Sequence, residues 1–298
     1  MRTALKLAAT CLIAAGLAQP ALAQESPTLQ KIKASGSIAL GHRESSIPFS
    51  YYDDRQQVVG YSHELMLKVV DAVKAELKLP SLAVKLTPVT SQNRIPLVQN
   101  GTVDIECGST THNKERAQQV AFSNTLFIIG TRLMTKKDSG IQDFPDLAGK
   151  NVVTTAGTTS ERLIRKMNDD KKLGMKIISA KDHGEAFLTL ETGRAVAFMM
   201  DDALLYGELA KARRPADWVM TGTPQSFEAY GCMMRKDDPG FKKVVDAALA
   251  RAMTSGEAEA IYRKWFTQPI PPKGLNLNFP LSEAMQKLYK APNDKAFE

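Results

Sequence analysis

Short apolar runs alternate with longer amphipathic ones along most of this chain, and the alternation occurs twice. In the first series, residues 37–41 read as a strand, and Leu65, Met66, Val69, Val70, Val73 and Leu77 recur at the three-to-four spacing of a helix that Ser62 would cap. A strand at 83–86, a short helix at 95–99 closed by Asn100-Gly101, a strand at 103–107 and a helix at 114–120 follow. The second series reads strand 150–154, helix from Glu161, strand 176–179, helix 185–191, strand 195–200, helix 203–212 and strand 218–220. Helices at 241–253, 258–266 and 282–289 close the chain, with Pro269, Pro271 and Pro272 breaking the pattern between the last two. Strands joined through helices indicate an α/β fold with mainly parallel sheets. Extended stretches at 125–134 and 227–234 flank the second series. They fit a discontinuous first lobe, which the chain leaves for a second lobe and then rejoins; the pattern alone fits one continuous sheet equally well.

The first 23 residues stand apart. Arg2 and Lys6 precede an apolar run from Leu7 to Ala18, and Ala21-Leu22-Ala23 offers a small-residue cleavage site. That is the layout of a secretory signal peptide, and it is too short for a membrane span. Cys11 follows Thr10 inside the run, which is not the setting of a lipid anchor. Cleavage after Ala23 reduces the formal charge of +7 to about +5. Lys and Arg are distributed rather than clustered, so nucleic acid is excluded as a partner. Export leaves Cys107 and Cys232, an even pair in an oxidising compartment, which favours one disulfide over two buried thiols. The four His are scattered without ligand spacing, and neither a metal nor a cofactor is expected.

Cationic and hydroxyl residues gather where strands end, the usual place for ligands in α/β sheets. Arg43 follows the first strand; Ser91 and Arg94 lie in Thr90-Ser91-Gln92-Asn93-Arg94; Ser109 and Thr111 lead towards Arg116. In the second series Thr158 and Thr159 start a helix, His183 precedes another, and Asp201 ends a strand. Helix N-termini, hydroxyls and guanidinium forks suit a small anion with several charges, and Asp201 adds a lone negative centre for an ammonium group. Taken singly, Ser109, Thr158 and Thr159 are ordinary helix caps and Arg116 an ordinary helix charge. Their coincidence at strand ends is what suggests a site.

Gly41-His42-Arg43-Glu44-Ser45-Ser46, Thr90-Ser91-Gln92-Asn93-Arg94-Ile95-Pro96, Glu106-Cys107-Gly108-Ser109-Thr110-Thr111, residues 178–184, residues 197–203 and residues 291–296 together resemble the glutamate/aspartate periplasmic binding proteins of ABC importers. The resemblance spans essentially the whole mature chain. It implies a two-lobed type II periplasmic-binding-protein fold, each lobe a mixed, mainly parallel sheet flanked by helices. Residues 24–127 and 232–298 would form lobe 1 and 134–226 lobe 2, with hinge strands near 128–133 and 227–231. It further implies that Arg116 grips an α-carboxylate with Ser109, Thr111 and the Thr158/Thr159 turn, and that Asp201 takes the α-ammonium. Arg43, Ser91, Arg94 and His183 would surround the side-chain carboxylate of L-glutamate or L-aspartate, and the ligand's charges would bridge the lobes, with Arg116 and Arg43 on one side and Asp201 and His183 on the other. Cys107 and Cys232 would staple neighbouring strands of lobe 1 near the hinge. The implied role is that of a monomeric periplasmic receptor delivering its ligand to a membrane permease.

Two departures from the wider amino-acid-binding pattern are Gly60-Tyr61-Ser62 and Ser46-Ile47-Pro48-Phe49. They leave Phe49, Tyr51 and Tyr52 outside the core site. The rival reading is a dehydratase-type enzyme on the same fold, acting on a carboxylated cyclic acid, with His183 or Glu44 as acid or base. Ser109, His183 and Asp201 could be written as a triad, but Cys107-Gly108-Ser109-Thr110-Thr111 lacks the second glycine of a nucleophile elbow.

Overall fold

The strand expected after residue 36 forms as Ser37–His42, and it organises the first of two sheets. Ala83–Pro88 and Ile105–Glu106 flank it, both parallel. Met233–Met234 then pairs antiparallel with Ile105–Glu106 on one side and Ala121–Phe122 on the other. The computed structural model describes residues 26–209 and 211–296. The export signal expected at 1–23 lies outside them, as does Ala210. No helix among the described residues is long and apolar enough to cross a membrane.

The helix read from the Leu65–Leu77 periodicity is Tyr61–Leu77, and Leu65, Met66, Val69, Val70 and Val73 are all buried. It packs against Pro239–Thr254 and Glu257–Phe266 from the end of the chain. Ser62 does not cap it. Gly60 is the cap, at φ 128°, and a Cβ there would meet the Phe49 carbonyl oxygen at 2.4 Å. The Ser62 hydroxyl instead donates to the Gly108 carbonyl (2.8 Å).

The second sheet runs Lys176–Ala180, Asn151–Thr155, Ala197–Asp201, Phe127–Lys136, Trp218–Thr221. The first three strands are parallel and the long one is antiparallel to both its neighbours. Phe127–Lys136 therefore serves twice. Residues 131–136 belong to this sheet, while 127–130 pair antiparallel with Phe227–Tyr230. The expected stretch 227–234 is thus two elements: it breaks at Gly231-Cys232, and Met233–Met234 enters the other sheet.

Other boundaries shift as well. The strand expected at 103–107 is only Ile105–Glu106, and the helix expected at 114–120 is Lys114–Ala117. The helix expected at 203–212 is Asp202–Leu209. Features with no counterpart in the periodicity include helix Pro27–Ser35, capped by Ser26, and a ribbon of Ser45–Ser46, Ser50–Tyr52 and Val58–Val59. Phe49 and Tyr51 are fully buried. Phe49 packs edge-on against Phe127 and Tyr230, with centroids 4.9 and 5.2 Å away, where the two crossing strands are rooted.

Cys107 and Cys232 are disulfide-bonded, with Cα atoms 4.3 Å apart. The bond joins the end of Ile105–Glu106 to the segment between Phe227–Tyr230 and Met233–Met234. Closing a loop over a separation of 125 residues restricts the unfolded chain strongly. Reduction is expected to lower the stability by about 2–5 kcal/mol, read as a shift of the urea midpoint with and without reductant.

Candidate functional site

Three arginines converge on the first lobe's face towards the second. Arg43 follows Ser37–His42, Arg94 opens the helix Arg94–Gln99, and Arg116 lies in Lys114–Ala117, whose cap Asn113 accepts from the Arg116 N–H (2.9 Å). Their exposures are 1%, 2% and 3%. Among the described residues none of the three forms an ion pair. Their partners are neutral: Arg94 donates to the Ser109 carbonyl (3.1 Å) and the Thr110 hydroxyl, Arg43 to Ser109 Oγ (3.5 Å), and Arg116 to the carbonyls of Thr111 (3.0 Å) and Gly157 (3.3 Å). Glu106 is hydrogen-bonded at one remove, because Thr110 donates to its Oε2 (2.7 Å), and its charge favours both Arg94 and Arg43.

The loop 107–112 that carries these carbonyls is fixed on both sides. Ser62 holds Gly108, Gly231 N–H donates to the Thr110 carbonyl (3.0 Å), and His112 N–H to that of Ala229 (2.7 Å). A Cβ on Gly108 would stand 2.7 Å from Glu106 Oε1 and 2.8 Å from Arg43 Cγ, so the glycine is what lets Arg43 lie there.

The second lobe supplies strand ends and helix starts. Thr158 caps the helix Thr159–Asp170; its oxygen accepts from the Glu161 N–H (3.0 Å) and its hydroxyl donates to Thr155 (2.6 Å). The Thr158 hydroxyl has therefore spent its one hydrogen on Thr155 and has none to give to a ligand. Asp182 caps the helix that His183 opens, and His183 Nδ1 pairs with Thr155 Oγ1 (2.8 Å). Gly157, at φ 75°, meets Gln92 of the other lobe so closely that a Cβ would lie within 3.0 Å of its backbone.

Burial dominates the electrostatics. Burial and then the like charge of Arg94 bring Arg43 down to about 10; burial, Arg94 and Arg162 bring Arg116 down to about 9. Both stay charged at neutral pH. Burial, with Arg43, Arg94 and Lys211, holds His183 well below its usual range, so it is a neutral hydrogen-bonding group. Asp201 is pushed up to about 7 by burial and then by Glu228, against hydrogen bonds from Tyr230 and Thr131. It is also not a lone negative centre. Glu228 is 5% exposed and connects to it through Ser226 (3.2 Å to Glu228), Thr131 (2.7 Å to Ser226) and the Thr131–Asp201 hydrogen bond (2.9 Å).

Arg43, Arg94, Ser109, Thr111 and Arg116 thus meet in one hydrogen-bonded cluster, joined across the lobes to Thr159, Gly157 and Asp201. Ser91 Oγ, Arg94 Nε and His183 Nε2 are buried without a hydrogen-bond partner among the described residues. Glu106, Thr110, Glu228 and Tyr230 were not anticipated. An acid between Phe227 and Ala229 on an otherwise apolar extended stretch was the available signal for Glu228. Among the described residues no three His, Cys, Asp or Glu side chains gather as a metal site.

A cleft of helix starts, hydroxyls and arginines between two lobes joined by crossing strands has known relatives. The sequence pattern of the bacterial extracellular solute-binding proteins, family 3, matches residues 38–268. The chain belongs to this family. It is 65% identical to the L-glutamate/L-aspartate-binding protein of Pseudomonas aeruginosa, covering 100% of this chain and 99% of that one. It is 61% identical to the glutamate/aspartate import solute-binding protein of Escherichia coli, covering 95% of each. Among solved structures, a mutant of ArgBP from T. maritima superposes with a TM-score of 0.72 at 27% identity, covering 80% of this chain and 98% of that one.

Carbon-detected NMR titration of the aspartates should find one carboxyl titrating near 7 that disappears in Asp201→Asn. Tyr230→Phe removes a hydrogen bond to the ionised form and should move that midpoint upward.

Proposed function

We propose that this protein captures L-glutamate or L-aspartate between its lobes and delivers it to the membrane permease of an ABC importer. The observation that carries the reading is the set of three buried arginines without an ion pair among the described residues, beside Ser91 Oγ, Arg94 Nε and His183 Nε2 with no partner. A buried guanidinium is costly unless an anion meets it, and a ligand with two carboxylates supplies two. Arg116, Ser109 and the N–H groups at Thr158 and Thr159 would hold the α-carboxylate; Thr111, expected beside them, gives its hydroxyl hydrogen to Glu228 and would instead join Asp201 in receiving the ammonium. Arg43, Ser91, Arg94 and a neutral His183 would hold the side-chain carboxylate. The names of the most similar relatives support the same ligand class.

Capture proceeds by rotation of lobe 2 (134–226) against lobe 1 (24–127 and 232–298), with bending near 128–133 and 227–231. The protein works as a monomer in the periplasm once residues 1–23 are removed. It is a binding protein and not an enzyme. The triad that could be written with Ser109 is disfavoured by the geometry as well: Asp201 is tied to Thr131 and Tyr230, and His183 Nδ1 pairs with the Thr155 hydroxyl instead of an acid.

Calorimetric titration should show tight binding of glutamate and aspartate and much weaker binding of glutamine and asparagine. Arg94→Ala should weaken the two acids by about 100-fold or more and the amides far less, because only the acids then leave a buried carboxylate unpaired. Equal binding of acids and amides by the unmodified protein would refute the assignment.

A further inference from the structure

Glu228 joins the two walls of the cleft through a single oxygen. Its Oε2 accepts from the Thr111 hydroxyl of the first lobe and from the Thr159 hydroxyl of the second (2.8 Å), while Oε1 accepts from Ser226 (3.2 Å). A hydroxyl has one hydrogen to give. With that hydrogen turned to Glu228, Thr111 Oγ1 and Thr159 Oγ1, themselves 3.4 Å apart, can only accept from anything else in the cleft. Asp201, the other buried carboxylate, is reached from Glu228 through Ser226 and Thr131.

We propose that Glu228 is a specificity-determining positioning residue: it makes the Thr111 and Thr159 oxygens obligate acceptors and adds a second negative charge beside Asp201, so that the cleft selects ligands bearing a primary ammonium over the same dicarboxylates without one. Two carboxylates facing three arginines would otherwise leave a dianion well matched. The second acid makes a ligand of two negative charges and one positive charge the better electrostatic complement. This rests on the reading of Asp201 as the ammonium partner.

The test compares L-glutamate with glutarate, its deaminated counterpart, by calorimetric titration and competition. Glu228→Gln keeps an oxygen able to accept from Thr111 and Thr159 and removes the charge. It should weaken glutamate by about 10- to 100-fold, leave glutarate unchanged or tighter, and so reduce the glutamate-to-glutarate preference at least about tenfold. Thr159→Val, which removes one of the two acceptors, should shift the preference in the same direction by a smaller factor. An unchanged preference, or equal losses for both ligands including loss of all binding, overturns the proposal and leaves Glu228 as a structural clasp. Failure of the unmodified protein to bind glutamate would instead sink the proposed function. The roles of Glu228 and of the cleft as a whole are therefore tested separately.

Discussion

Three guanidinium groups buried within reach of one another's charge are the condition that the rest of the cleft has to meet. Burying a single unpaired charge costs several kcal/mol even after relaxation, and like charges nearby add to that. The chain answers with oriented neutral oxygens. The carbonyls of Ser109, Thr111 and Gly157 face the arginines, and Glu106, whose charge favours Arg94 and Arg43, is hydrogen-bonded to Arg94 only through Thr110. Carbonyls can serve in this way only if their loop cannot turn. Ser62 on Gly108, and the return segment on Thr110 and His112, hold it from opposite sides.

Acidity is placed with equal care. Asp201 and Glu228 lie where the long strand and the returning one cross, tied into one chain of hydroxyls by Thr131 and Ser226. The same short region in which the two crossing strands pair therefore also carries the negative pole of the cleft. A group arriving there interacts with both lobes and with the strands that join them. His183, held neutral, offers hydrogen bonding without adding to an already excessive positive charge.

Much of this was legible in the sequence because it depends on local rules. Strand ends and helix caps gave the positions of Arg43, Arg94, Ser109, Thr111, Arg116, Thr158, Thr159 and Asp201, since each sits where a periodic run stops. Pairings between distant segments were not legible. Met233–Met234 is two residues long, and nothing local announces that it lies between Ile105–Glu106 and Ala121–Phe122. Tyr230 was invisible as a site residue for the same reason, and so was the partner that gives the acid at 228 its place, because Asp201 and Thr111 lie 29 and 117 positions away. Ser62 misled in the opposite way. It has the right residue type and place for a cap, yet a long-range bond to Gly108 claims its hydroxyl. The charge state of His183 also depended on burial beside arginines that only the folded chain brings near it.

The crossing strands have a consequence for how the molecule comes into being. Residues 131–226 begin and end side by side, with Thr131 N–H on the Ser226 carbonyl (3.2 Å) and Gln225 N–H on that of Thr131 (3.0 Å). Every strand of their sheet lies within that segment or at its edge. The other sheet cannot be finished until Met233–Met234 arrives, because that strand sits inside it rather than at its margin. A polypeptide delivered N-terminus first therefore completes its second lobe while its first still has a gap between Ile105–Glu106 and Ala121–Phe122. The lobe that begins the chain is the last to close, and its disulfide must also wait for Cys232.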